Sequence, residues 1–270
     1  MTTSPAPSRQ RIILASSSPR RQELLQILGL SFRVITPAAP SVTGDRPTAV
    51  DETPLPGETP AALVQRLSHL KAEAVAAKLK RLDSSLSSSE NSFVGQAFQP
   101  VLSTQSVESL LHKLVTATDQ LFIIAADTEV ALGSQILGKP GNAAAATAML
   151  TALRRQPHHV YSGLTVARLA GADLTFVTRL HQSTVWMRPY TDAEIAAYVA
   201  SGDPLDKAGG YGIQNKSFAP VARLEGCFAS VMGLPLGELA AACRELGLQF
   251  PPIAPSCSRY TGHPCCQEHR

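Results

Sequence analysis

The stretch from Ile12 to Leu25 constrains this chain most. An apolar, β-branched run, Ile12-Ile13-Leu14-Ala15, breaks into Ser16-Ser17-Ser18; after Pro19, Leu24, Leu25, Ile27 and Leu28 recur at helical spacing until Gly29. The pattern predicts strand, tight turn, helix. Ser18 suits the N-cap, and Pro19 the first helical position, where a missing N–H costs nothing because that donor has no intrahelical partner.

Arg20 and Arg21 fall in the first turn of that helix, with no acid beside them. Unpaired N–H groups and the macrodipole already make the field there positive, so two cations cost about 0.3–1 kcal/mol each. Two readings follow. Either the helix start is solvated and its arginines pair with nearby carboxylates, or the hydroxyls of Ser16 and Ser18, the backbone donors and the guanidinium groups converge on a phosphate.

At 270 residues and 44% hydrophobic content the chain can bury a full core. A net charge of +3 without basic runs argues against nucleic acid or an anionic membrane as partner. No apolar stretch reaches bilayer length, and residues 1–10 are polar, proline-rich and without an apolar signal core, so a disordered N-terminus and a soluble, cytoplasmic protein are expected. Five unevenly placed cysteines do not make a disulfide framework.

Further elements follow in order. Ser31 to Ile35 reads as a second strand, followed by a proline-rich loop carrying Asp51 and Glu52. Thr59-Pro60 opens a helix with Leu63, Leu67, Leu70 and Ala74 on one stripe and Lys71 beside it. Residues 83–119 lose periodicity and read as a low-complexity insertion, with one short helix near 107–115. Leu121 to Ala126 is a continuous apolar run typical of a strand buried on both faces, and Asp127-Thr128 are expected to end it. That would put a carboxylate at the C-terminal sheet edge, where open α/β sheets form their ligand crevice.

A hairpin follows, Glu129 to Leu132 against Gln135 to Gly138 about a Gly133-Ser134 turn, then an alanine-rich helix capped by Asn142. His159 to Leu169 and Leu174 to Met187 should pair antiparallel, and Thr191 to Glu194 forms a capping box. A glycine-rich loop from Asp203 to Gln214, a strand near Val221 and a helix from Leu236 to Leu246 complete the main body, spanning residues 11–250. The tail, 251–270, shows no period.

Arg20, Arg21, Lys71, Lys139 and Lys207 against Glu52, Asp127 and Asp206 make a surplus of cations with a few hard oxygen ligands. This is what a polyphosphate with a divalent metal requires. Each has a plainer reading: surface lysines, an Asp206–Lys207 ion pair in a turn, or Asp127 as a turn former. No Gly-x-x-x-x-Gly-Lys-Ser/Thr string occurs, which removes P-loop chemistry. His263, Cys265, Cys266 and His269 lack the paired spacing of zinc modules.

Leu14 to Leu25, Val50-Asp51-Glu52, Leu70-Lys71-Ala72, Ala126 to Val130, Leu137 to Pro140, Asp206 to Gln214 and Gly233 to Leu236 together resemble the Maf family of nucleoside triphosphate pyrophosphatases, over about residues 11 to 248. The resemblance implies an α/β fold, a mixed central sheet flanked by helices, similar to that of the inosine triphosphate pyrophosphatases. It also implies a homodimer that cleaves a nucleoside triphosphate to monophosphate and pyrophosphate with Mg²⁺ or Mn²⁺. On the same grounds Asp127 is the proton acceptor. Ser16, Arg21, Glu52, Lys71, Lys139, Asp206 and Lys207 belong to the phosphate and metal site, Glu52 and Asp127 being the metal ligands. Arg20, Thr128 and Gln214 occupy the specificity positions and resemble the dTTP/UTP branch. Gln214 offers a donor and an acceptor, which suits a uracil or thymine edge. Two alternatives stay open: the same reaction on modified or methylated nucleotides, and a nucleotide-sensing regulator of cell division.

Overall fold

The computed structural model describes residues 10–37, 50–89 (backbone alone from 82) and 120–264. The expected helix near 107–115, most of the expected insertion, and Cys265, Cys266 and His269 lie outside the described residues.

In chain order the elements are β1 (Gln10–Leu14), α1 (Pro19–Gln26), β2 (Phe32–Val34), α2 (Pro60–Ser89), β3 (Gln120–Leu132), β4 (Gln135–Leu137), α3 (Ala143–Leu153), β5 (His158–Ala170), β6 (Asp173–Met187), α4 (Asp192–Ala200), β7 (Val221–Glu225), α5 (Phe228–Val231), α6 (Leu236–Glu245) and α7 (Ala254–Thr261). They build an α/β fold around a seven-stranded mixed sheet in the order β2-β1-β3-β5-β6-β7, with β4 also on β3. β1 runs parallel to β2 and β3, and the other pairs are antiparallel.

Strand β3 is the spine, and its alternation assigns the two faces. Leu121, Ile123 and Ala125 point to one side, where Ala72, Val75, Ala76 and Leu79 of α2 cover them. Phe122, Ile124 and Ala126 point to the other, into a core built with Leu24 and Leu25 of α1, Leu239 and Cys243 of α6 and Cys257 of α7. A third cluster at the hairpin end joins Val130, Leu137 and Val160 to Leu150 of α3 and Ile195 of α4. The expected caps form: Asn142 Oδ1 accepts the Ala145 N–H at 2.9 Å, and Thr191 and Glu194 complete a capping box.

Two sequence expectations are corrected, and a third holds in position but not in bonding. Strand β3 does not end at Asp127-Thr128 but continues to Leu132, because pairing with β5 persists through Ala131 although charged Asp127 interrupts the apolar run. The tail is not patternless: Ile253, Ala254, Cys257 and Tyr260 place one face of α7 on the core, a helix too short and too rich in serine and proline to announce itself. Ser18 holds the N-cap position of α1, yet its hydroxyl makes no cap bond. The Ser18 N–H donates instead to Ser16 Oγ at 3.2 Å.

One close approach sets the depth of α2. Gly163 of β5 lies opposite Asp127 in the β3–β5 register, and a Cβ there would stand 2.1 Å from the Val64 carbonyl oxygen. Helix and sheet therefore meet backbone to backbone at this point.

Candidate functional site

The sheet has a notch. On the edge of β3 away from β5, β1 pairs only as far as Ile124, and β4 begins pairing at Val130. From Ala125 to Glu129 that edge carries no strand, so the two faces of the sheet communicate there. Two cavities open at this place, of about 780 and 130 Å³, and both are lined by Ser18, Arg20, Arg21, Lys139 and Asp206.

The larger cavity is charged, with Glu52 and Lys71 in its wall. Lys71 projects from α2 two turns beyond Val64, on the helix face that Gly163 lets down onto the sheet. Its Nζ lies 2.6 Å from Asp127 Oδ1 and 2.6 Å from Glu52 Oε1. Asp127 is buried, and its other oxygen, Oδ2, has no partner among the described residues. Glu129, two residues on and hence on the same face, also leaves a buried oxygen, Oε2, without a partner. Burial, and then the negative charges of Asp127 and Glu52, push the Glu129 carboxyl up to about 7. For Glu52, burial opposes ionisation, but the hydrogen bond and charge of Lys71, helped by Lys139 and Arg21, hold its carboxyl below the ordinary range.

Arg21 anchors the serine turn. Its Nε donates to the Gly233 carbonyl at 2.9 Å and its Nη1 to Ser16 Oγ at 3.2 Å. Burial holds its guanidinium below its ordinary range; the charges of Asp127 and Glu52 oppose that effect and the charge of Arg20 adds to it. Arg20 resolves the missing acid of the helix start differently, pairing with Asp206 at 3.1 Å from across the fold. Lys139, just past β4, makes no ion pair among the described residues and faces both cavities.

The smaller cavity shares Arg20, Arg21, Lys139 and Asp206 with the larger one, and adds Thr128, Tyr211, Ile213, Gln214, Met232 and Gly233 to its wall. The loop supplying Gln214 is tied down by Asp203, which accepts from Tyr198 Oη at 2.6 Å, Asn215 Nδ2 at 3.1 Å and Lys207 Nζ at 3.0 Å. Lys207 is buried and also bonds Asp206 Oδ1 at 2.6 Å, so the plainer reading of an Asp206–Lys207 turn pair holds as folded. Gly212 leaves room for both functional neighbours, since a Cβ would stand 3.1 Å from Lys207 Cε and 3.2 Å from Gln214 Nε2.

The expected site residues thus gather at the notch, but not in one ring. Ser16, Ser18, Arg20, Arg21, Glu52, Lys71 and Lys139 line the charged cavity, with Asp127 behind Lys71. Thr128, Gln214 and Lys207 line the smaller one. Glu129 and Asp203 were missed. The alternation of β3 places Glu129 beside Asp127, a signal that shows only when Gln120–Leu132 is one strand rather than a strand followed by a hairpin arm; Asp203 carries no local pattern that sets it apart from a helix-terminating turn.

Oxygen donors for a divalent cation are present in Glu52, Asp127 and Glu129, and the two orphaned buried carboxylate oxygens are the kind of atom a hard cation satisfies. As folded, Lys71 fills the space between Glu52 and Asp127, and no three carboxylate, histidine or cysteine groups converge ready-made among the described residues. The chemistry of the donor set fits such an ion. Among the described residues no helix is long and apolar enough to cross a membrane.

The chain matches the family described as Maf-like protein over residues 11–246. It is 34% identical over 239 residues to a dTTP/UTP pyrophosphatase of Pelotomaculum thermopropionicum, covering 88% of this chain and 97% of that protein. Similar matches are a dTTP/UTP pyrophosphatase of Cupriavidus metallidurans, 38% identical over 239 residues (88% and 98% covered), and one of Ralstonia nicotianae, 37% identical over 247 residues (92% and 98%). The matched span takes in the serine-arginine turn, the notch and the glycine-rich loop, and the chain belongs to the Maf-like protein family.

Proposed function

We propose that this chain hydrolyses dTTP and UTP to the nucleoside monophosphate and pyrophosphate. The observation that carries this reading is the junction at the notch: a cavity holding Lys71 and Glu52 meets, along a shared wall of Arg20, Arg21 and Lys139, a smaller one holding Thr128 and Gln214. A polyphosphate attached to a base has that same division.

Arg21, Lys139 and Arg20 would bind phosphate oxygens, and the smaller cavity would take the base. Water attacks the α-phosphorus, the bond to the bridging oxygen of the β-phosphate breaks, and the electron pair leaves with pyrophosphate. Asp127 Oδ2 takes the proton of the attacking water, because Oδ1 is committed to Lys71. Lys71 keeps this carboxylate oriented and offsets its charge beside an anionic substrate. Glu52 and Glu129, with Asp127 alongside, would hold a divalent cation. When bound, that cation would neutralise charge on the phosphate oxygens.

Support for the substrate comes from the relatives' activity and from Gln214, whose amide suits a pyrimidine edge. The homodimer and the cytoplasmic location belong to the same reading and rest on the family resemblance; sedimentation of the full chain tests the first. Pyrophosphate release from dTTP and UTP with Mg²⁺, measured against the other nucleoside triphosphates, tests the activity. Tight binding of dTTP without release of pyrophosphate would overturn it in favour of a sensor.

A further inference from the structure

We infer that Ser162 is a positioning residue that fixes the hydrogen-bonding polarity of Thr128, so that the small cavity accepts a base carrying an imino N–H. This deepens the nucleotide reading and rests on it.

The argument is a count of protons. Ser162 lies on β5 directly opposite Thr128 in register, fully buried, and its Oγ donates to the Ser230 carbonyl at 2.8 Å. A carbonyl can only accept, and a serine hydroxyl has one proton, so that proton is spent. The 2.9 Å contact between Ser162 Oγ and Thr128 Oγ1 must then be donated by Thr128. The Ser230 carbonyl cannot turn away, because it sits at the end of α5 and also accepts the Gly233 N–H at 2.9 Å. The relay therefore runs one way, from Thr128 to Ser162 to Ser230.

With its proton committed inward, Thr128 has only lone pairs to offer the cavity it lines. It lines that cavity beside Gly233 and the guanidinium of Arg21. A lone threonine hydroxyl would rotate to serve donor or acceptor alike and so would select nothing. Held this way, it rewards a ring N–H and opposes a ring nitrogen lone pair. Uracil and thymine carry the N–H at N3; cytosine presents a lone pair at the same atom. The neighbouring Gln214 amide, able to flip, cannot make that distinction unaided.

The test compares kcat/KM for dTTP, dCTP and N3-methyl-dTTP with wild type, Ser162→Ala and Thr128→Ser, each checked by melting temperature. Wild type should lose about tenfold or more on N3-methylation, the scale of one misplaced hydrogen bond. Ser162→Ala frees the threonine proton and should lower the dTTP-to-dCTP ratio about tenfold, mostly through KM. Thr128→Ser keeps the relay and should preserve the ratio. An unchanged ratio in folded Ser162→Ala overturns the relay while leaving the pyrophosphatase reading intact. Should Ser162→Ala fail to fold, equal rates for dTTP and N3-methyl-dTTP in wild type overturn it just as well. Absence of turnover with dTTP and UTP in wild type overturns the nucleotide reading itself.

Discussion

The two faces of β3 at the notch differ sharply in chemistry. Asp127 and Glu129 point toward α2 and meet Lys71 and Glu52, in a setting of short ion pairs and shifted protonation. Thr128, the residue between them, points the other way into hydroxyls, a backbone carbonyl and an amide. A strand's period of two has put charge and hydrogen-bond readout on opposite sides of one backbone, within reach of each other only because the sheet is notched there. Reactivity and selection can then vary separately.

The largest expected effect falls on the charged face. Asp127→Asn should lower kcat on dTTP by about 10²–10⁴-fold, the usual contribution of a positioned proton acceptor, while the dTTP-to-dCTP ratio stays put. A comparable loss of selectivity would erase the division between the faces. Next is Glu129→Gln. The folded protein holds this carboxyl near 7 and the unfolded chain near 4.5, so folding binds a proton between those values and stability falls as pH rises through them. In metal-free buffer the glutamine variant should be more stable than wild type by about 2–3 kcal/mol at pH 8, with the gap closing toward pH 4.5 in chemical denaturation. Added Mg²⁺ should narrow the gap at pH 8, through its binding to wild type.

On the neutral face, Gln214→Ala should reduce the preference for uracil and thymine nucleotides about tenfold in kcat/KM. A pH dependence of stability no different from that of wild type would keep the faces distinct. The smallest effect should come from Asn142→Ala, which belongs to neither. Removing the cap of α3 should cost about 1 kcal/mol of stability, and a shift in nucleotide preference would show the faces to be less self-contained than described.

Much of this arrangement was readable from the chain. The serine-arginine turn, the β3–β4 hairpin, both capped helices and the long β5–β6 pair carry local signals of spacing and capping. What stayed hidden depends on contacts distant in sequence. Asp206 neutralising Arg20 lies across the fold, and the fate of Lys71 depends on how deeply α2 sits. Glu129 was obscured by a reasonable rule: apolar runs mark buried strands, so a charged residue marks their end. Here backbone pairing with β5 carries the strand past its own hydrophobic stretch.

Gly163 brings no side chain to the notch, yet it works as the fold's spacer gauge. One methyl group at that position would prop the long helix away from the strands, drawing the ammonium of Lys71 off both carboxylates and leaving the two acids to repel each other. The reach of that lysine is therefore set by an atom the protein leaves out.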